Sequence, residues 1–419
     1  MRRKLLVNCS EAGKLVSSSK RSKSDSPEHS HGNSPDNIVI ESDQTVEIPK
    51  EVIASVQKVE DNSPIKVSRK MVALFMSYNG YGYHGMQYNA GTKTIEGELL
   101  EAVFKAGAIS EEVKFQLGHL KFQRTSKTDK GVSAVRQIVS LKMDVLKSHL
   151  DGINSFLPPQ IRVFRILRVT QSFNGKHFCS SRFYNYICPT FAFAPTYEQT
   201  YEGYRIDAET VGRLQNVLSI FKGTHNFHNY TSAVKAKDPS CNRYIINVSL
   251  GLPFLDQKSK LEFISIHLQG QSFMLHQIRK MIGITIAVMK NFANEEIIAR
   301  SFKLDTVETP KAPSLGLMLE KQEFNGYNRK FGDDGIHERI EWESLENEVV
   351  EFRDKYIYPH IIQQESEHKS MFIWLGNLNK HNFVAESDES NKQEDNSQIR
   401  GDTHAETKTK ENAGSPKIC

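Results

Sequence analysis

The stretch that decides the fold is KTDKGVSA, residues 127–134, followed by QIVSLKM, residues 137–143. One carboxylate, Asp129, lies in a short basic turn, with Lys127 two residues before it and Lys130 directly after it. Apolar and polar side chains then alternate with a period of two, which predicts a β-strand. Asp129 is therefore expected where the chain enters a strand, among cations that favour its ionised form. An ionised carboxylate can act as a nucleophile, and the alternative is a solvated turn with an ordinary aspartate.

Length and composition limit the class of protein. The 419 residues leave room for two or three domains. Hydrophobic residues make up 38% and charged residues 25%, so part of the chain is expected to be unfolded tail. The net charge of +4 permits a polyanionic partner without requiring one. The five cysteines are scattered without metal-ligand spacing, which argues against a disulfide framework and a structural metal.

Targeting signals are weak in this sequence. No apolar segment is long enough to cross a bilayer, so no membrane partner is expected. The basic residues 1–7 resemble the start of a mitochondrial presequence, and KRSK at residues 20–23 resembles a nuclear signal. We expect the nucleus as the main location, with a mitochondrial pool.

The order of predicted elements divides the chain into five segments. Strand patterns fall at residues 72–78, 182–188, 244–250 and 262–268, and apolar residues follow helical spacing after Thr94, Asp207 and Ser272, each of which can cap a helix. The predicted segments are a disordered basic, Ser-rich region (1–65), an N-terminal half carrying Asp129 (66–180), a C-terminal half (181–325), a helical extension (326–385) and a disordered polar tail (386–419).

Two further segments combine aromatic side chains with glycine or arginine. In residues 79–87, three glycines permit close approach of the backbone to a ligand, and Tyr83 and His84 offer stacking faces. On the strand at 182–188, Tyr184 and Tyr186 share a face beside Arg182, as expected of a surface that stacks on unpaired nucleobases. The alternatives are an aromatic-lined surface loop and a tyrosine pair that packs within the sheet.

An arginine among apolar residues needs a counterion. His276 and Arg279 lie three residues apart, so they share a face of the predicted helix 273–290. An unpaired buried charge costs several kcal/mol, and Asp129 is the candidate partner. The alternative is an arginine that extends from a core helix to solvent. His225 and His228 have no acidic or cysteine neighbour at ligand spacing, so no metal site is predicted there.

Six motifs, in order along the chain, resemble the TruA-type transfer-RNA pseudouridine synthases. The similarity is closest to the eukaryotic tRNA pseudouridine synthase 1 group and runs from about residue 72 to about residue 383. The motifs are YHGMQ (83–87), TDKGVSA (128–134), RFYNY (182–186), GTHNFHN (223–229), GQSFMLHQIRK (270–280) and PKAPSLGL (310–317).

The resemblance implies a fold and an activity. The fold is α+β, with two similar halves sharing a broad, mostly antiparallel sheet around a central RNA-binding cleft, plus the helical extension and disordered tails. The activity is isomerisation of uridine to pseudouridine in folded RNA, chiefly tRNA with mRNA and snRNA as further candidates, without cofactor or metal. A monomer is expected, because the extension after residue 326 covers the surface through which bacterial relatives dimerise.

The resemblance also assigns residues. Asp129 matches the catalytic aspartate, Tyr184 the tyrosine that stacks on the target base, and Arg279 the arginine that pairs with the aspartate. Attack of Asp129 on the sugar C1′ and addition to the base C6 both remain open. The predicted substrate-binding residues are Lys127, Lys130, Tyr83, His84, Arg182, His225, His276 and Leu317.

Two positions depart from the family pattern. Lys127 replaces an arginine, which removes a planar stacking group but keeps the charge. Arg136 replaces a small glycine and is expected to crowd the turn. We expect activity to survive. The alternatives are a tRNA-binding or RNA-chaperone paralogue with weakened or lost catalysis, and a metal-dependent hydrolase using His225 and His228.

Overall fold

The strand predicted after Asp129 lies inside a ten-stranded mixed sheet. The structure, a computed structural model, describes residues 69–196, 200–232, 234–378, 380, 381 and 383. The strands of this part of the chain are β1 (Lys70–Tyr78), β2 (Gln123–Arg124), β3 (Ser133–Met143), β4 (Ile161–Arg168), β5 (Ser181–Pro189), β6 (Gly223–Asn226), β7 (Asn242–Leu250), β8 (Phe254–Leu255), β9 (Glu262–Gly270) and β10 (Leu317–Glu323).

The strand order brings distant parts of the sequence together. The main path is β4-β1-β3-β10-β5-β9-β7-β6, with β2 paired to β3 and β8 to β9. Among the described strands, β10 and β3 run parallel and the other pairs are antiparallel. Leu319 of β10 pairs with Ala134 on one side and Tyr184 on the other. The strand that follows Asp129 and the strand that carries Tyr184 are therefore about 10 Å apart, two strand spacings.

Helices lie between and after the strands, which makes the fold α+β. Those of the described region are α1 (Ile95–Lys105), α2 (His149–Phe156), α3 (Gly175–Phe178), α4 (Ala208–Ser219), α5 (Gln277–Met289), α6 (Glu296–Ser301), α7 (Asn325–Phe331), α8 (Glu346–Phe352), α9 (Tyr358–His368) and α10 (Ser370–Leu378), with a π-helical turn at Arg353–Ile357.

Two of the three predicted helix caps are confirmed. The Thr94 hydroxyl accepts a hydrogen bond from the Gly97 amide, and the Asp207 carboxylate accepts one from the Thr210 amide. The predicted start of α5 at Ser272 is wrong. Residue His276 has a φ of 65°, a left-handed conformation that interrupts the helical backbone, so the helix begins only at Gln277.

Helix α5 is buried along most of its length and touches another chain segment at a glycine. Every residue from Met281 to Met289 is buried. A Cβ atom on Gly283 would lie 1.9 Å from the carbonyl oxygen of Pro310, so only glycine permits this approach. The close packing brings residues 310–312 against the helix that carries Arg279.

The C-terminal extension packs on strands β1 and β4. The ring centroids of Phe75 and Trp342 are 4.8 Å apart, and those of Phe164 and Phe352 are 6.1 Å apart. Arg136 lies within β3 rather than in the turn, where it pairs with Glu320 of β10 and Glu346 of α8, both at 2.8 Å. The expectation that Arg136 crowds the Asp129 turn is therefore wrong: the residue joins the sheet to the C-terminal helices.

Several sequence predictions lie outside the described residues. These are the disordered regions 1–65 and 386–419 and the candidate targeting signals at 1–7 and 20–23. In the part of the chain that the structure describes, no helix combines the length and the apolarity needed to span a membrane.

Candidate active site

Asp129 lies in a turn that a neighbouring loop holds from behind. The Met86 amide donates to the Thr128 carbonyl at 3.1 Å, and the Gly131 amide donates to the Tyr83 carbonyl at 3.2 Å. Gly85 has a φ of 99°, and a Cβ atom there would lie 2.8 Å from the Thr128 carbonyl oxygen. Two of the three loop glycines, Gly80 and Gly85, bring the loop backbone close to the Asp129 turn, and close approach to a ligand stays a prediction.

Arg279 faces Asp129 from helix α5. Its Nη1 atom lies 3.9 Å from Asp129 Oδ2, which is ion-pair distance but too long for a hydrogen bond. Its Nε donates to the Ala312 carbonyl at 2.7 Å, so the segment packed at Gly283 orients the guanidinium. Burial lowers the pKa of Arg279, and Tyr186 and Asp129 oppose this shift. An arginine keeps its charge at neutral pH, so it supplies a fixed positive charge beside the carboxylate.

His276 is a second neighbour of the same carboxylate. Its Nε2 lies 3.7 Å from Asp129 Oδ2. Burial lowers the pKa of His276, and the negative charge of Asp129 acts in the opposite direction. The imidazole is therefore mainly neutral at pH 7, and Arg279 is the cation that balances Asp129 there.

Tyr184 contributes a buried phenol from strand β5. The ring meets Phe273 edge to face, with centroids 5.2 Å apart and planes at 81°. Burial raises the pKa of Tyr184 to about 12, so the hydroxyl stays protonated at neutral pH. The side chain is 8% exposed, which leaves a small part of it open.

One cavity of about 670 Å³ unites these groups. Its lining includes Asp129, Tyr184 and Arg279, three residues that the chain separates by up to 150 positions (279 − 129). The sequence-predicted substrate residues that also line it are Lys127, Arg182, His276 and Leu317. A volume of this size is typical of ligand sites.

Four predicted substrate residues do not line this cavity. Tyr83 is buried, with Lys93 over its ring and its hydroxyl 3.5 Å from Glu98, so it offers no open stacking face. His225 stacks on Phe302 at 4.1 Å. Lys130 and His84 are exposed outside the lining. Substrate contact by His84, Lys130 and His225 stays a prediction.

Several lining residues were missed by sequence reasoning. Arg243 and Lys176 lie in segments without a recognisable motif, and neither has a sequence signal that points to this site. Arg124 lines the cavity and forms a buried ion pair with Glu96, with Nη2 2.8 Å from Oε2. Glu96 lies in the first turn of its helix, where acidic residues are common because they interact favourably with the helix dipole. Nothing in the sequence therefore indicates that Glu96 pairs with Arg124.

The structure gives no support to a metal centre among the described residues. The His225 Nε2 atom lies 2.8 Å from the Lys222 carbonyl, and His228 bonds to Asn226 and to the Asp305 carbonyl. No group of three or more His, Cys, Asp or Glu side chains in the described ranges is arranged to hold a metal ion.

Comparison with known proteins places the chain in a family. A family model described as "tRNA pseudouridine synthase" matches residues 218–325. The "Pseudouridylate synthase 1 homolog" of Mus musculus is 44% identical over 328 residues, covering 77% of each chain. The Homo sapiens protein of the same name is 46% identical over 318 residues, covering 75% of this chain and 74% of its own. The "tRNA pseudouridine synthase 1" of Saccharomyces cerevisiae is 30% identical over 372 residues, covering 69% and 68%. The chain therefore belongs to the tRNA pseudouridine synthase family, in the group of the eukaryotic tRNA pseudouridine synthase 1 proteins.

Proposed function

We propose that this chain isomerises specific uridines of folded RNA, chiefly tRNA, to pseudouridine, with Asp129 as the nucleophile. The observation that carries the proposal is that Asp129, Tyr184 and Arg279 line one cavity. A single nucleotide in this cavity is within reach of a carboxylate, a ring and a fixed cation.

The first requirement of the reaction is an exposed base. A stacked uridine must be extruded from the RNA, which costs a few kcal/mol. Stacking on an aromatic ring returns about 1–3 kcal/mol per base. Tyr184 is positioned for that role, and its protonated phenol adds no negative charge beside Asp129.

The second requirement is an ionised nucleophile away from bulk water. The Asp129 side chain is 26% exposed and that of Arg279 is 13% exposed, so the pair is partly desolvated. Arg279, oriented by the Ala312 carbonyl, supplies a fixed positive charge 3.9 Å from Asp129 Oδ2, beside the proposed nucleophile.

The reaction balances without a cofactor, because uridine and pseudouridine are isomers. The Asp129 carboxylate bonds either to the sugar C1′ or to the base C6. The N1–C1′ bond breaks, the base rotates, and a C5–C1′ bond forms. The C5 proton then leaves, N1 gains a proton, and the carboxylate is released.

We also propose the arrangement of the chain around this site. Residues 66–180 and 181–325 form two similar halves with the RNA-binding cleft between them, and residues 326–385 form an extension. In support, β4, β1 and β3 lie on one side of β10, and β5, β9, β7 and β6 lie on the other. The extension covers β1 and β4 through Trp342 and Phe352, so these strands are not free for a second subunit, and light scattering at several concentrations will test whether the protein is a monomer.

The decisive experiment maps pseudouridine in total RNA from cells with and without this protein, in separate nuclear and mitochondrial fractions. We expect specific uridines of tRNA, and a smaller set in mRNA and snRNA, to lose the modification, in the nucleus and in a mitochondrial pool. An unchanged map together with tight tRNA binding by the purified protein would reject the proposal in favour of an RNA chaperone.

A further inference from the structure

Two arginines flank the end of strand β9, on the wall of the same cavity. Arg182 of β5 pairs with Gly270, the last residue of β9, and Arg243 lies on β7 at the other side of β9. The next residue, Gln271, donates its amide to the Tyr244 carbonyl at 3.1 Å. Both arginines line the cavity that contains Asp129.

The Arg182 guanidinium is held in place by neutral oxygens. It donates to the carbonyls of Gln271 at 2.8 Å, Thr125 at 3.2 Å and Lys176 at 3.3 Å. These bonds fix its orientation but leave its charge unbalanced. Within the described ranges, no carboxylate oxygen lies within 4.0 Å of Arg182.

Arg243 is less satisfied than Arg182. Its Nη1 donates to its neighbour's carbonyl, that of Asn242, at a long 3.4 Å, and its Nε is buried with no hydrogen-bond partner in the described structure. Burial lowers the pKa of Arg243, the positive charge of Arg182 adds to this, and Cys241 and Asp238 oppose it. The two guanidinium groups therefore repel each other, and neither forms an ion pair with a described side chain. A bound anion would relieve this repulsion and lower the free energy of the site.

The whole cavity wall carries an excess of positive charge. Among the described residues that line it, the arginines and lysines are Arg124, Lys127, Lys176, Arg182, Arg243 and Arg279, and the carboxylate residue is Asp129. Arg124 is balanced by Glu96 and Arg279 by Asp129, which leaves the Arg182 side of the cavity uncompensated.

Resting on the proposed function, we infer that Arg182 and Arg243 together bind one backbone phosphate of the RNA beside the everted uridine. Guanidinium groups suit this ligand because their planar forks match phosphate oxygens. Arg182 and Tyr184 are two residues apart on β5 and so share a face of the sheet. The two arginines therefore hold the RNA backbone next to the Tyr184 ring on which the base stacks.

The test measures tRNA affinity against salt for Arg243→Gln and Arg243→Lys, with Arg168→Gln as a matched control on the exposed far edge of the sheet. Arg243→Gln should weaken binding about tenfold to a hundredfold, as expected for a lost charge-assisted hydrogen bond. The slope of log K against log salt should fall by about 0.7–0.9, the value for one phosphate. Arg243→Lys should restore the slope but not the full affinity, and Arg168→Gln should match wild type.

A purely structural role for Arg243 predicts a different result. In that case Arg243→Gln would lose affinity with an unchanged salt slope, and the inference would be rejected. Arg182→Gln provides a second variant with the same expected slope change if Arg243→Gln fails to fold. Pseudouridine formation by wild type is measured in the same samples. An inactive wild type would reject the proposed function, whereas the salt slope alone decides whether Arg182 and Arg243 bind a phosphate.

Discussion

Arg279 Nη1 lies 3.9 Å from Asp129 Oδ2, while Arg279 Nε donates to the Ala312 carbonyl at 2.7 Å. One side of the guanidinium is therefore anchored to the protein and the other faces the proposed nucleophile. The anchor depends on Gly283, which lets residues 310–312 touch helix α5. The position of the Arg279 guanidinium beside Asp129 therefore depends on a packing contact at Gly283, away from the proposed reacting atoms.

Arg279→Gln should lower kcat by roughly 10²- to 10³-fold, the usual cost of removing one electrostatic group from an active site, and Arg279→Lys should lower it by less. Lysine keeps the charge but lacks the planar fork, so it cannot bond to Ala312 and face Asp129 together. Single-turnover rates at saturating tRNA measure the effect. A wild-type rate would show that the anchored geometry is unimportant.

Tyr184 should act through its ring rather than through an ionised hydroxyl. Because burial raises the pKa of Tyr184 to about 12, the phenol stays neutral at every ordinary assay pH. Tyr184→Phe should keep base stacking and much of the affinity for the reacting nucleotide. Tyr184→Ala should lose the stacking free energy of about 1–3 kcal/mol, which appears as a lower kcat/KM. Equal losses in the two variants would contradict a stacking role.

Gly85→Ala should disturb the Asp129 turn, whereas Gly91→Ala should not. Both glycines have positive φ, 99° and 74°, so both variants carry the same kind of backbone strain, about 1–2 kcal/mol. A Cβ atom on Gly85 meets the Thr128 carbonyl at 2.8 Å, and one on Gly91 meets nothing within 4 Å. Thermal unfolding should show greater destabilisation by Gly85→Ala, which carries the clash in addition to the strain, and only Gly85→Ala should lose activity.

Arg136 should be a stabilising junction. Its side chain is 7% exposed and pairs with Glu320 and Glu346 at 2.8 Å. Arg136→Gly leaves Glu320, whose side chain is 23% exposed, without its partner, so the loss should fall below the roughly 3–5 kcal/mol that breaking a fully buried pair costs. Arg339→Gly breaks an exposed ion pair with Asp333, which should lower the free energy of unfolding by about 1 kcal/mol or less. Both variants also carry the conformational cost of introducing a glycine. Urea unfolding of both variants measures the difference, and equal losses would contradict this role.

Glu365 should make stability depend on pH. Burial raises the pKa of Glu365 from 4.5 to about 7. The native state therefore binds a proton that the unfolded state has lost, so the stabilisation is full below pH 4.5 and disappears as the pH rises through 7. At 1.36 kcal/mol per pKa unit, this is roughly 3 kcal/mol.

Glu365→Gln should remove that dependence. The difference in free energy of unfolding between Glu365→Gln and wild type should be more favourable to the variant at pH 8 than at pH 5. Urea unfolding at both pH values measures this difference. Glu367→Gln, an exposed neighbour on α9, should follow the wild-type curve. Parallel curves for wild type and Glu365→Gln would show that Glu365 is not the titrating group.

Local signals in the sequence predicted local structure. Thr94 and Asp207 begin their helices because each caps with its own side chain, a contact that spans three residues. Ser272 failed as a cap because residue His276 takes a left-handed conformation where it meets Asp129, a tertiary contact that helix patterns do not record.

Longer-range relationships were only partly predictable. The pairing of Asp129 with Arg279 followed from the cost of an unpaired buried charge, so chemistry alone suggested it. The partners of Arg136 lie 184 and 210 residues away, and no spacing rule points to them. The loop glycines signalled a close backbone approach, but the sequence does not show that the approaching backbone is the Asp129 turn.

The measurement closest to the central claim compares wild type, Asp129→Asn and Asp151→Asn for pseudouridine formation and tRNA binding in the same reaction. Asparagine matches the shape of aspartate but cannot supply the anion, and Asp151 is an exposed aspartate on α2 that does not line the cavity. We predict that Asp129→Asn binds tRNA and forms no pseudouridine, while Asp151→Asn behaves as wild type. Product formation by Asp129→Asn at the wild-type rate would contradict the account.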